Sequence, residues 1–188
     1  MTKHSLISFS LFTLLSLGAA LPAAAKEIRF PDTGDVYYSV ELPDSWAASP
    51  GQDKISATLM PVKPDAKDIK AISLVMENSQ PPLELKPAVF KGLVEPLLKG
   101  INPAGKDDLA TDRVVSFSGM NWDEYDTKVP ASPTVIFNAK LMVCADAAHV
   151  LTITPMHTAA EMPKEQADIL QSIKVVGIST CALNDAAK

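Results

Sequence analysis

The chain has 188 residues, 47% of them hydrophobic and 21% charged, with a formal net charge of −5. Such a composition supplies a sizeable core and does not suit a disordered chain, and the length suits one domain. No lysine- and arginine-rich block occurs, which argues against nucleic acid as a partner, and the mild acidic excess serves solubility.

The first 25 residues read as an export signal. Lys3 gives the positive start, Leu6 to Leu17 the apolar stretch, and Ala23-Ala24-Ala25 a small-residue cleavage site. Cutting is expected after Ala25, leaving 26–188 as a single domain that is slightly more acidic without Lys3. The apolar stretch is too short and too soon interrupted for a good membrane span, so no stable membrane insertion is expected after cleavage. No cysteine lies near the cut to carry a lipid. A periplasmic or secreted address follows.

Glu27 to Phe30 suits a short edge strand, and Pro31 to Asp35 a turn. Val36 to Leu42 alternates, with Val36, Tyr38, Val40 and Leu42 on one face. Pro43-Asp44-Ser45 stops it, and Trp46 directly after a strand end suits a plug in one end of the core; a ligand-stacking platform is the functional alternative. Ala48 to Asp53 reads as a polar turn. Ile55 to Val62 and Ile69 to Glu77 read as a second antiparallel pair, with Ile55, Ala57 and Leu59, then Ile72, Leu74 and Met76, in phase.

A helix is expected from about Pro87, with an apolar stripe of Val89, Leu93 and Leu97 flanked by Phe90, Val94 and Leu98. Pro96 should kink or split it. After a polar loop from Asn102 to Asp112, Arg113 to Phe117 and Trp122 to Val129 form another strand pair. Pro133 to Met156 then reads as one long hairpin. Val135, Phe137, Ala139, Leu141 and Val143 alternate up its first arm, with Asn138 and Lys140 opposite. Down the second, Leu151 and Ile153 oppose Thr152 and Thr154, so one buried face is expected. Pro163 to Lys174 is the last helix, with Ala167, Ile169, Leu170 and Ile173 facing inward and Lys174 near its negative end. Val175 to Cys181 adds a final extended segment. Hairpin-joined strands and two amphipathic helices imply an α+β fold, a central antiparallel sheet flanked by helices.

Cys144 and Cys181 are the only cysteines. In an oxidising compartment an even count invites a bridge, which would pin the tail to the sheet and contribute on the order of 3–4 kcal/mol. Two separate thiols, one of them buried, are the alternative. No C-x-x-C is present for redox catalysis.

Several of these segments resemble the PsbP/Mog fold superfamily, which includes the DcrB-like bacterial envelope proteins. The opening strand Tyr38-Ser39-Val40-Glu41-Leu42-Pro43-Asp44-Ser45-Trp46 resembles that family's strand running into proline and tryptophan, with Ser45 where glycine is frequent. The helix Ala88 to Lys99, the arm Val150 to Thr154 and the helix Ile169-Leu170-Gln171-Ser172-Ile173 extend the likeness over nearly all of the chain after the signal. It implies an α-β-α sandwich and a non-catalytic docking or accessory role, as in members acting on photosystem II or on the GTPase Ran. Nothing matches those partner surfaces residue by residue.

No nucleophile elbow, dinucleotide fingerprint, P-loop or zinc helix motif occurs, so neither an enzyme nor a cofactor is expected. His149 and His157 fall at opposite ends of one hairpin arm, too far apart to share a metal. Asp123, Glu124 and Asp126, beside Trp122 and Tyr125, form an acidic run without the spacing of a calcium loop. Alternation puts Glu124 and Asp126 on one face and Asp123 on the other, suggesting a solvated edge. Asp107, Asp108 and Asp112 form a second acidic loop. The expected function is an exported adaptor that binds another envelope protein. The alternative is a small-ligand or divalent-metal binder using a surface near Trp46 or around Trp122, Asp123, Glu124 and Asp126.

Overall fold

A computed structural model describes residues 25–65, 68–102 and 113–188. The expected export signal, apart from Ala25, and the expected acidic loop at Asp107, Asp108 and Asp112 lie outside the described residues. Two antiparallel sheets form. The larger has seven strands in the order β3-β4-β5-β9-β8-β7-β6. They are β3 (Trp46–Pro50), β4 (Ser56–Pro61), β5 (Lys70–Asn78), β6 (Arg113–Phe117), β7 (Met120–Ser132), β8 (Val135–Ala145) and β9 (His149–His157). The smaller joins β1 (Lys26–Phe30), β2 (Tyr37–Leu42) and β10 (Lys174–Val176). Helices α1 (Pro87–Ile101), α2 (Lys164–Ser172) and α3 (Ala182–Ala186) complete the fold. The expected α+β architecture, a central antiparallel sheet flanked by helices, is present. No described helix is long and apolar enough to cross a membrane.

The β8–β9 hairpin forms as its alternation requires, but with both faces buried rather than one. Met142 pairs with Ile153 and Val143 with Thr152. Leu141 and Val143 therefore point away from the side taken by Leu151 and Ile153. The sheet separates two cores. On the first face, Leu59, Ile72, Leu74, Leu151 and Ile153 pack with Tyr38 and Val40 of the small sheet and Ile169 of α2. On the second, Leu141, Val143 and Val150 pack with Phe90, Val94 and Leu98 of α1 and Leu183 of α3. Each fully buried aliphatic side chain contributes about 1.5–3 kcal/mol. The outer end of the first arm runs past His157, the last β9 partner of β8, so Val135 and Phe137 are only half-buried.

Both principal helices differ in detail from their sequence patterns. In α1 the fully buried stripe is Phe90, Val94 and Leu98, one position on from the expected centre. The helix also runs unbroken through Pro96. Pro96 and Gly92, whose carbonyl would have accepted the missing N–H, both face solvent, so that carbonyl is open to water. Helix α2 stops at Ser172, and Lys174 starts β10 instead of ending the helix. Its most buried residue is a glutamine. Gln166 donates through Nε2 to the carbonyls of Ala71 (2.7 Å) and Met156 (3.0 Å), anchoring the helix to paired strands.

Two elements have no sequence signal. The polar turn read at Ala48 to Asp53 begins inside β3, an exposed edge strand that Pro50 ends. The tail forms α3. The β6–β7 turn falls on Ser118 (φ 50°) and Gly119 (φ 77°), a pair of positive φ angles that suits a tight hairpin.

The tail links the two cores. Val175 belongs to the first core and Leu183 to the second, so the chain passes from one sheet face to the other between them. At the crossing, Cys181 is bonded to Cys144 (S–S 2.00 Å, Cα–Cα 5.1 Å), which realises the expected bridge. Strand β7 pairs with β8 only as far as Val143. Asn184 fills the vacated place: its Oδ1 accepts from the Ala145 N–H (2.9 Å) and its Nδ2 donates to the Val143 carbonyl (2.8 Å). The C144A/C181A double variant should lose about 4 kcal/mol by the loop-entropy model, and N184A about 2–4 kcal/mol through two stranded backbone groups. Urea unfolding measures both, and oxidised protein should show no free thiol on alkylation.

Candidate functional site

Both tryptophans are core residues, and Trp46 also lines a pocket with Lys26, Ile28 and Leu42. Trp46 is 4% exposed and seals the first core where β3 begins, the plug its position suggested. Trp122 is fully buried; its Nε1 donates to the Phe117 carbonyl (3.1 Å), and its ring meets the Phe117 ring edge-on.

The acidic run is not a solvated edge. Asp123 and Glu124 are buried, and alternation splits the run across the sheet. Glu124 and Asp126, on the first face, share Lys140 at 3.1 and 2.7 Å, and Glu124 also pairs with Arg113. Their charge is neutralised by side chains of this chain. Asp123 alone faces the other way. Among the described residues no group of three or more His, Cys, Asp or Glu side chains is placed to hold a metal ion. His149 bonds Asp146 (3.2 Å) and His157 the Ala159 carbonyl (2.9 Å), at the two ends of β9.

Beside Trp46, a pocket is lined by Ser45, Lys70 and Glu165. The Ser45 hydroxyl bonds Glu165 (2.7 Å) and, with smaller contributions from Trp46 and Lys70, holds that carboxyl below its usual range. Lys70 also pairs with Asp68. These bonds fasten the first turn of α2 to the β2–β3 turn.

Asp123 opens into a cleft of about 480 Å³ between α1, β6–β7 and the end of the tail. Its apolar walls are Phe90 and Val94 of α1, Val114 and Tyr125 of the strands, and Ala187. Lys91 and Lys188 stand at the polar margin. Arg113 borders the cleft, but its guanidinium pairs with Glu124. Asp123 is 2% exposed, and its Oδ1 accepts no hydrogen bond from the described residues. Among the described residues the cation paired with it is the Lys188 ammonium at 3.7 Å, which also lies 3.8 Å from Asp185. Burial raises the Asp123 carboxyl above its ordinary value of 3.8, with Lys188 opposing and Asp185 adding a little. Nothing here is arranged as a nucleophile with its base. An apolar trough with one buried, under-bonded carboxylate is equipped to bind.

Sequence reasoning found Asp123 and put it on the face opposite Glu124 and Asp126, as the structure does, but grouped all three in one candidate surface. It missed Lys188 and Ala187, because a five-residue helix carries no period. The exposed Val114 beside an acidic partner strand was the one local signal of a cleft wall.

No protein-family model matches the chain, and no curated protein matches it. Six chains of solved structures do. One is LpqN of Mycobacterium tuberculosis, a protein involved in cell envelope biogenesis. It is 13% identical, with a TM-score of 0.54 over 80% of this chain and 91% of that one. At that identity the likeness shows the fold.

The raised Asp123 pKa fixes a sign. The folded state holds the proton more tightly than the unfolded chain, so this group's contribution to stability falls as pH rises from its unfolded pKa through its folded one. D123N removes that loss. Its stability relative to the parent should therefore rise as pH increases above the ordinary aspartate value of 3.8, measured as the difference in urea midpoints.

Proposed function

We propose that this protein is a non-catalytic accessory protein of the cell envelope, PsbP/Mog-like in fold, that docks another envelope protein across the cleft between α1 and β6–β7. The cleft carries this reading. It combines open apolar walls with a buried carboxylate whose Oδ1 receives no hydrogen bond. The export-signal pattern of the first 25 residues and a disulfide suited to an oxidising compartment support the envelope address. The fold shared with LpqN, an envelope-biogenesis protein, agrees with it. A second reading, a small-ligand binder, draws on the volume of the cleft, which lies in the range of ligand sites.

A photo-crosslinking residue at Val114, in the cleft wall, tests the first reading in intact cells. A discrete crosslinked species is expected from Val114 and none from the same residue at Asp32, in the exposed β1–β2 turn. Absence from both positions, or equal yield from both, overturns docking at the cleft.

A further inference from the structure

The ion pair between Asp123 and Lys188 is poorly made. At 3.7 Å it lies outside hydrogen-bond range, so the ammonium neutralises the carboxylate without donating to it. A buried carboxylate in that state forgoes a charge-assisted bond that any well-placed donor would supply. Lys188 is 43% exposed, follows a short helix, and divides its charge with Asp185. Its ammonium can reach water, and the charge it would leave on buried Asp123 must then be met by whatever takes its place.

The walls suit what would replace it. Phe90, Val94 and Tyr125 surround the approach with apolar and aromatic surface, which covers the methylene stem of a long basic side chain while its charged end reaches a carboxylate. Charge agrees. With Lys188 displaced, Asp123 and Asp185 outnumber Lys91, and the Arg113 guanidinium pairs with Glu124.

The geometry points to a receptor pocket for a lysine or arginine side chain of the partner polypeptide, with Asp123 as its anchor and Lys188 as a tethered stand-in that the partner displaces. This rests on the cleft being the docking site, and adds what the cleft recognises. The partner presents a basic residue on an otherwise apolar segment.

N-acetyl-lysine methylamide and N-acetyl-arginine methylamide are suitable probes, titrated into the full chain with the methyl resonances of Val94 and Val114 as readout. Both probes should shift these signals. K188Q, which keeps a polar side chain and removes the charge, should bind them about threefold more tightly. D123N should bind them about tenfold or more weakly. Butyrate should bind neither parent nor variants. Unchanged or weaker binding in K188Q, undiminished binding in D123N, or butyrate shifting the same signals overturns the proposal. So do phosphatidylethanolamine bicelles that shift them when the amino-acid amides do not, which would assign an aminolipid. Failure of the probes while the Val114 crosslink persists removes the basic-side-chain proposal and leaves docking standing. Loss of the crosslink removes the docking reading itself.

Discussion

The fold depends on the register between β8 and β9. Placing Met142 opposite Ile153 and Val143 opposite Thr152 sends the apolar residues of one strand to both sides of the sheet. A strand buried on both faces cannot be satisfied by one covering layer. The small sheet with α2 answers one face and α1 with α3 the other. A slip of one residue would reverse every side chain of β8, placing Lys140 and Asn138 where Leu141 and Ala139 now pack. The whole three-layer arrangement follows from that single alignment.

The tail is the second constraint, because it belongs to both covering layers. β10 closes the small sheet against β2, and the Val175 N–H donates to the Ser118 hydroxyl at 2.8 Å. A few residues later Leu183 is in the opposite core. A chain crossing beside a sheet exposes backbone groups that the sheet no longer pairs. The carboxamide of Asn184 satisfies two of them and so imitates a neighbouring strand for one residue. The disulfide fixes the same point covalently.

Much of this was legible because it is periodic. The strands from Tyr37 to Leu42 and from Lys70 to Asn78, and the hairpin about Ala145 to Ala148, follow apolar alternation, and the structure keeps it. Three things were not legible, each for a physical reason. Alternation does not say which face a neighbouring strand will share, so it predicts one buried face for β8 where the structure has two. Gln166 looks like a surface residue until the two carbonyls that it meets are brought together by the β5–β9 pairing. The five residues of α3 hold one turn of helix, too short for any pattern, and their place is set by a cysteine and an asparagine rather than by hydrophobic spacing. The candidate site suffered most. Asp123 was visible as a charge, but its distance from water, and the lysine beside it, are products of tertiary structure alone.

The cleft wall formed by Ala187 and Lys188 hangs from the crosslinked tail. A partner that bound against this wall only while the disulfide held the tail would be linked to closure of the sulfur pair. A bound partner that favours the seated tail shifts the thiol–disulfide equilibrium by the same factor that closure lends to its own association. The groove and the covalent bond lie on opposite sides of the sheet, and the tail joins them.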